Sequence, residues 1–177
     1  MSTFFDISIQ PITVGIAFNF IMILILLFCS ALISGAEVAY FSLNPNEIEK
    51  LIDEKTRKAT LVLKLLKNPN KLLATILISN NFINIAIIIL ATYFTTDILM
   101  FPENSMLEFL VQVVVITFLI VLFGEITPKV YANRNAFWFS KQMSIPLSMS
   151  SKLFTPLSYL LTSSTSFIDK RLKRKKE

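Results

Sequence analysis

The sequence predicts an all-α integral membrane protein with three transmembrane helices, plus juxtamembrane and interfacial helices on the cytoplasmic side. Three observations predict it. Of the 177 residues, 54% are hydrophobic and 16% charged, whereas a soluble chain carries about 25% charge. Mean hydropathy is +0.64. The charges also avoid three stretches altogether, Ile7 to Ala36, Leu72 to Thr96 and Phe109 to Gly124. The first two exceed the roughly 20 residues that cross a bilayer, and the third falls just short unless it runs past Glu125. A soluble enzyme, a disordered chain and a disulfide scaffold are thereby excluded. With no His and the single Cys29, a His general base, a His or Cys zinc cluster and an internal disulfide are ruled out by count. The expectation is a protein that is not an enzyme and has no catalytic residue.

Residues 1–12 read as a short extracytoplasmic lead. They lack the basic start of a cleavable signal peptide, so the first apolar run is expected to stay in the mature protein. Helix one spans about 13–41 and is stopped by Asn44-Pro45, because the residue before a proline is pushed out of the α region. Residues 46–67 mix charge with Ile48, Leu51, Ile52, Leu61 and Leu65, the pattern of an amphipathic juxtamembrane helix on the membrane surface, broken near Thr60. The Asn68-Pro69-Asn70 turn leads into helix two, about 71–96. Phe101-Pro102-Glu103-Asn104 leads into helix three, about 105–125. Together, 13–141 form the transmembrane domain. Residues 142–169 carry Ser, Thr, Pro146 and Pro156 and read as interfacial or re-entrant helices on the cytoplasmic side. The end, 170–177, is a polybasic tail or a linker to cytosolic domains.

The 17 Lys and Arg set the orientation. None lies in 1–13 or 97–108, while the segment from Val38 to Lys71 and everything after Glu125 hold them all. Basic residues concentrate on the cytoplasmic side, so the N-terminus is expected outside and the C-terminus inside, with Asp97, Glu103 and Glu108 facing out. The net charge of +5 is then a cytoplasmic collar suited to anionic membrane lipid. Nucleic acid is not expected as a partner, because no aromatic or fold motif accompanies the basic run.

Polar groups at membrane depth cost free energy unless paired, so they are functional hypotheses. The first cluster is Ser30, Ser34, Gly35 and Glu37. Ser30 and Ser34 share one helix face, and Gly35 lets another backbone come close. Small-residue helix packing explains the two serines equally well. The second is Ser79, Asn80, Asn81 and Asn84. Interhelical hydrogen-bond glue would account for one carboxamide more readily than for three. The third is Gly124-Glu125-Ile126-Thr127-Pro128-Lys129. Pro128 cannot donate to the helix ladder, which is expected to free carbonyls near Gly124; an ordinary helix end with a snorkelling Glu is the alternative. With helix two starting near Lys71, Asn80 and Asn84 lie about 13 and 20 Å in, in the same inner half of the membrane as Ser30, Ser34 and Glu125. The donors are hydroxyl, carboxamide, carboxylate and carbonyl oxygens, which suit Mg²⁺ first, then Na⁺ and Ca²⁺.

At these motifs the sequence resembles the transmembrane domain of the CNNM/CorC family of magnesium transporters, which includes a bacterial gliding-motility-associated membrane protein. The resemblance rests on Ser34-Gly35-Ala36-Glu37-Val38-Ala39 with Asn44-Pro45, on Leu72-Leu73-Ala74-Thr75 leading to Ser79-Asn80-Asn81 and Asn84, and on Gly124-Glu125-Ile126-Thr127-Pro128-Lys129. It implies a homodimer in the bacterial cytoplasmic (inner) membrane that binds a dehydrated Mg²⁺ and exports it in exchange for Na⁺. The implied metal ligands are Ser30, Ser34, Asn80 and Glu125. Carbonyls near Ser30, Ser79 and Gly124 are supplementary donors, and Asn84, Gly35, Glu37 and Pro128 have supporting places. Family members usually continue into nucleotide-binding CBS modules, so the chain is expected to be either the membrane part of a longer protein with such cytosolic domains or a stand-alone variant. The alternative to transport is a Mg²⁺-binding sensor, or an accessory scaffold of a membrane machine such as gliding motility.

Overall fold

The computed structural model describes residues 8–9, 13–100 and 110–155. Most of the N-terminal lead, Glu103 and Glu108, the start of helix three and the polybasic tail lie outside the described residues. The described chain is helical apart from turns and a two-residue ladder. Helix α1 covers Val14–Phe41, α2 Pro45–Glu54, α3 Arg57–Leu66, α4 Pro69–Ile98, α5 Gln112–Arg134 and α6 Ala136–Leu153. Helices α1, α4 and α5 are each long and apolar enough to cross a membrane. The chain divides into two compact units, one of residues 1–31 with 82–128 and the other of 32–81 with 129–177.

In the first unit, strand β1 (Ser8–Ile9) pairs antiparallel with β2 (Leu99–Met100), Ser8 opposite Met100 and Ile9 opposite Leu99. The chain before α1 is thereby fixed to the chain after α4. Phe20 of α1 stacks on Phe94 of α4 at 5.5 Å between ring centroids. Outward positions such as Phe18, Phe28, Phe82, Ile85 and Phe118 are exposed, an arrangement that water would penalise at about 25 cal/mol per Å² and hydrocarbon does not. An apolar cavity of about 580 Å³ lies among α1, α4 and α5, bounded by Leu27, Phe94, Leu119 and Phe123.

Helix α5 departs from the expectation. Sequence reasoning ends this helix at Glu125, but the structure carries it on to Arg134. Two stretches, Val111–Val115 and Ile120–Ile126, are π-helical, and the Thr127 N–H bonds the Leu122 carbonyl, five residues back. Pro128 follows as the second residue of the regular helix Thr127–Arg134. A proline inside an α-helix clashes with the preceding turn and leaves one acceptor without its donor. Widening that turn lets the helix absorb the proline instead of ending.

The second unit holds the juxtamembrane helices. Asn44 caps α2 with a full capping box: its side chain accepts from the Glu47 N–H at 2.9 Å, Glu47 Oε2 accepts from the Asn44 N–H at 2.9 Å, and Pro45 takes the first turn, where no N–H is needed. Lys55 ends α2 in the left-handed conformation, φ 49°. Thr56 then caps α3 by accepting from the Ala59 N–H at 3.2 Å. The helix expected over 46–67 with a break near Thr60 is two helices, and the break lies at Lys55-Thr56. Thr60 sits inside α3, its hydroxyl donating to the Thr56 carbonyl at 2.9 Å.

Helix α6 packs against α3. Its buried face is Ala136, Phe139, Ser140, Met143, Ser144 and Leu147, a three-and-four spacing that meets Ala59 and Val62 of α3, both fully buried. The two serines are tolerated there because Ser140 donates to the Phe137 carbonyl at 3.0 Å and Ser144 to the Lys141 carbonyl at 2.7 Å, leaving a short side chain and a closed hydrogen bond. An ion pair from Lys141 to Glu54 and a Lys58–Gln142 hydrogen bond of 2.6 Å border the contact. The sequence-based boundary at residue 142 falls within this helix, and residues beyond Thr155 lie outside the described residues.

Candidate metal site

The first unit brings one polar residue from each long helix to a common point. Ser30 of α1 is fully buried, and its hydroxyl donates to Asn84 Oδ1 of α4 at 2.7 Å. The Asn84 Nδ2 donates in turn to Glu125 Oε1 of α5 at 3.2 Å. Gly124 makes the approach possible, because a Cβ at that position would stand 3.2 Å from Ser30 Oγ and 3.5 Å from Leu27 Cδ1. The π-helical turn Ile120–Ile126 presents Gly124 and Glu125 together to the same spot.

This geometry alters the ranking drawn from sequence. Asn84, given only a supporting place, is the residue that links Ser30 to Glu125. Sequence reasoning missed its centrality because Asn80 and Asn84 are one turn apart on one helix face and look equivalent on that face. Asn81 is exposed.

A family model, the cyclin M transmembrane N-terminal domain, matches residues 21–177. The chain belongs to the cyclin M transmembrane family. Among curated relatives, a UPF0053 protein of Haemophilus influenzae is 32% identical over 142 residues, covering 80% of this chain and 33% of its own length. The UPF0053 inner membrane protein YfjD of Escherichia coli is 29% identical, covering 77% of this chain and 31% of its own. The metal transporter cnnm-4 of Caenorhabditis elegans is 29% identical, covering 75% and 28%. The chain thus spans about a third of the length of these relatives. Family membership and three apolar helices make it an integral membrane protein.

The second unit of this cyclin M domain holds the remaining residues singled out from sequence except Pro128, which belongs to the first. Ser34, buried, lies one turn along α1 from Ser30, and half-buried Asn80 lies one turn along α4 from Asn84. Ser79 is buried, and its hydroxyl has no hydrogen-bond partner among the described residues; the same holds for the hydroxyl of buried Tyr40. Buried hydroxyls of this kind call for a polar occupant such as water or a cation. Gly35 is buried. Glu37 pairs with Lys129 at 3.0 Å beside an open cleft of about 410 Å³ that Phe41 and Leu73 also line. This pairing gives Lys129 of the third motif a role: it neutralises a carboxylate near the end of α1. Pro128 acts through the helix geometry already described.

Among the described residues no three His, Cys, Asp or Glu side chains gather as a metal cluster. What gathers is hydroxyl, carboxamide and one carboxylate, with Cys29 turned about 100° along the helix from Ser30. Such a donor set suits a hard cation better than a soft one.

Proposed function

We propose that this cyclin M domain binds a dehydrated Mg²⁺ at Ser30, Asn84 and Glu125 and exports it across the membrane in exchange for Na⁺. The observation that carries the reading is the Ser30–Asn84–Glu125 hydrogen-bonded chain, which joins three apolar helices through oxygen-bearing side chains. A carboxylate is costly in hydrocarbon unless a charge or a set of donors answers it, and a small divalent cation answers it directly. A cation at the cluster would take the place of the donors from which Asn84 Oδ1 and Glu125 Oε1 accept. Ser34 and Asn80 are proposed as further ligands. The homodimer belongs to the same proposal, as do the bacterial inner membrane, supported by an inner membrane protein among the relatives, and the N-outside, C-inside orientation, supported by the basic collar. The printed name of the nematode relative, a metal transporter, agrees with it.

The test is Mg²⁺ titration calorimetry on the purified full chain, followed by flux in proteoliposomes under a Na⁺ gradient. Glu125→Gln and Asn84→Ala are each expected to weaken Mg²⁺ binding by about tenfold or more, roughly 1.4 kcal/mol, with Ser34→Ala and Asn80→Ala measured beside them. Unchanged binding in both Glu125→Gln and Asn84→Ala overturns the site. Intact binding with no Mg²⁺ movement under either ion gradient overturns transport and leaves a sensor or scaffold.

A further inference from the structure

A second polar site lies in the other unit, where α3, the start of α4 and the end of α6 enclose a cleft of about 230 Å³. Three lysines line it, Lys64, Lys71 and Lys152, together with the hydroxyls of Ser151 and Thr155. Lys71 Nζ donates to Thr155 Oγ1 at 3.4 Å. Among the described residues the ion pairs are Glu37–Lys129 and Glu54–Lys141, so none of these three lysines holds a carboxylate. Three like charges around one small cleft repel each other, and each extended ammonium also costs side-chain entropy to hold in place. An anion relieves that repulsion.

The surroundings say which anion. The charge-free run of α4 starts at Leu72, the residue after Lys71, so the cleft sits where the chain passes from polar to hydrocarbon surroundings. Its floor is apolar, with Leu65 and Leu72. Beside Lys152, α6 turns out Met149 and Leu153, at 68% and 73% exposure, apolar groups that belong in an acyl environment. A ligand that fits has a phosphate for the lysines and hydroxyls and an apolar body for the leucines. We infer that the Lys64–Lys71–Lys152 cleft binds the headgroup phosphate of an anionic phospholipid. Basic pockets beside membrane helices take such headgroups. The site is distinct from the Ser30–Asn84–Glu125 cluster and does not depend on any ion being transported.

Native mass spectrometry of the full chain in mild detergent, with equal phosphatidylglycerol and phosphatidylcholine, tests it. The unaltered chain is expected to retain phosphatidylglycerol preferentially. The combined Lys64→Gln, Lys71→Gln and Lys152→Gln chain, eluting as a single species, is expected to lose that preference by about tenfold. A comparator with Lys50→Gln, Lys55→Gln and Arg57→Gln removes the same charge outside the cleft and is expected to keep it. The single Lys152→Glu variant, at an exposed position, reports the same loss where the triple change disturbs folding. Retained preference in the cleft variants overturns the proposal, as does an equal loss in the comparator, which would make the effect a diffuse surface charge. Inorganic phosphate bound with no phosphatidylglycerol retained also overturns it.

Discussion

Gly124 shows how much of the site depends on one missing methyl group. A Cβ there meets Ser30 Oγ at 3.2 Å, and Ser30 cannot swing aside without breaking its 2.7 Å bond to Asn84. Overpacking costs about 1–3 kcal/mol, against the roughly 1 kcal/mol that Ala gains over Gly inside a helix. Gly124→Ala is therefore expected to destabilise the chain by about 1 kcal/mol on balance. In a Ser30→Ala background the next contact is Leu27 Cδ1 at 3.5 Å, an ordinary separation, so the penalty should disappear. A double-mutant cycle by thermal unfolding in detergent checks this; equal losses in both backgrounds would sink the account. At this scale Ser30 and Glu125 were legible as candidates because polar groups stand out against hydrocarbon. The bond between them through Asn84 was not, since it depends on which of two same-face carboxamides lies level with the neighbouring helices.

The elements show a similar division. Helices α1 and α4 were legible within a few residues from charge-free length and from the Asn-Pro pairs that bound them. The α2–α3 break was misplaced because Thr56 looks like one more polar residue in an amphipathic run. What decides the break is Lys55 at φ 49°, a left-handed conformation that costs a residue with a Cβ roughly 1–2 kcal/mol and that helix ends usually assign to Gly. Lys55→Gly is expected to raise stability by about 0.5–1 kcal/mol, after allowing for the greater freedom of Gly in the unfolded chain. A melting temperature that falls would show that α2 and α3 are held in some other way. The extension of α5 past Glu125 was not legible either, because proline in a helix reads as an end unless a wider turn precedes it.

At the scale of the whole molecule, the membrane character was legible from composition, since apolar side chains on all faces of a long helix have no aqueous explanation. The sidedness rests on charge placement. The β1–β2 ladder ties the chain before α1 to the chain after α4, so both are expected to be reachable from the same side. Single cysteines at Thr3, Ser105 and Ser164 in a Cys29→Ala background test this with a membrane-impermeant thiol reagent. Labelling from outside is expected at the first two positions only; outside labelling at Ser164 would reverse the placement of the C-terminal region.

The widened turn at Ile120–Ile126 also acts as a phase shift. A π turn holds one residue more than an α turn, so the parts of α5 before and after this turn are rotated by about 100° from where an unbroken count of 3.6 would place them. A helical wheel carried unbroken from Ile116 through Glu125 therefore aims the carboxylate in the wrong direction. Deleting Val121 should wind the helix back to regular spacing and turn Glu125 off Asn84 without altering a single polar residue. The register of α5 is in this sense as much a part of the proposed ion site as the oxygens it carries.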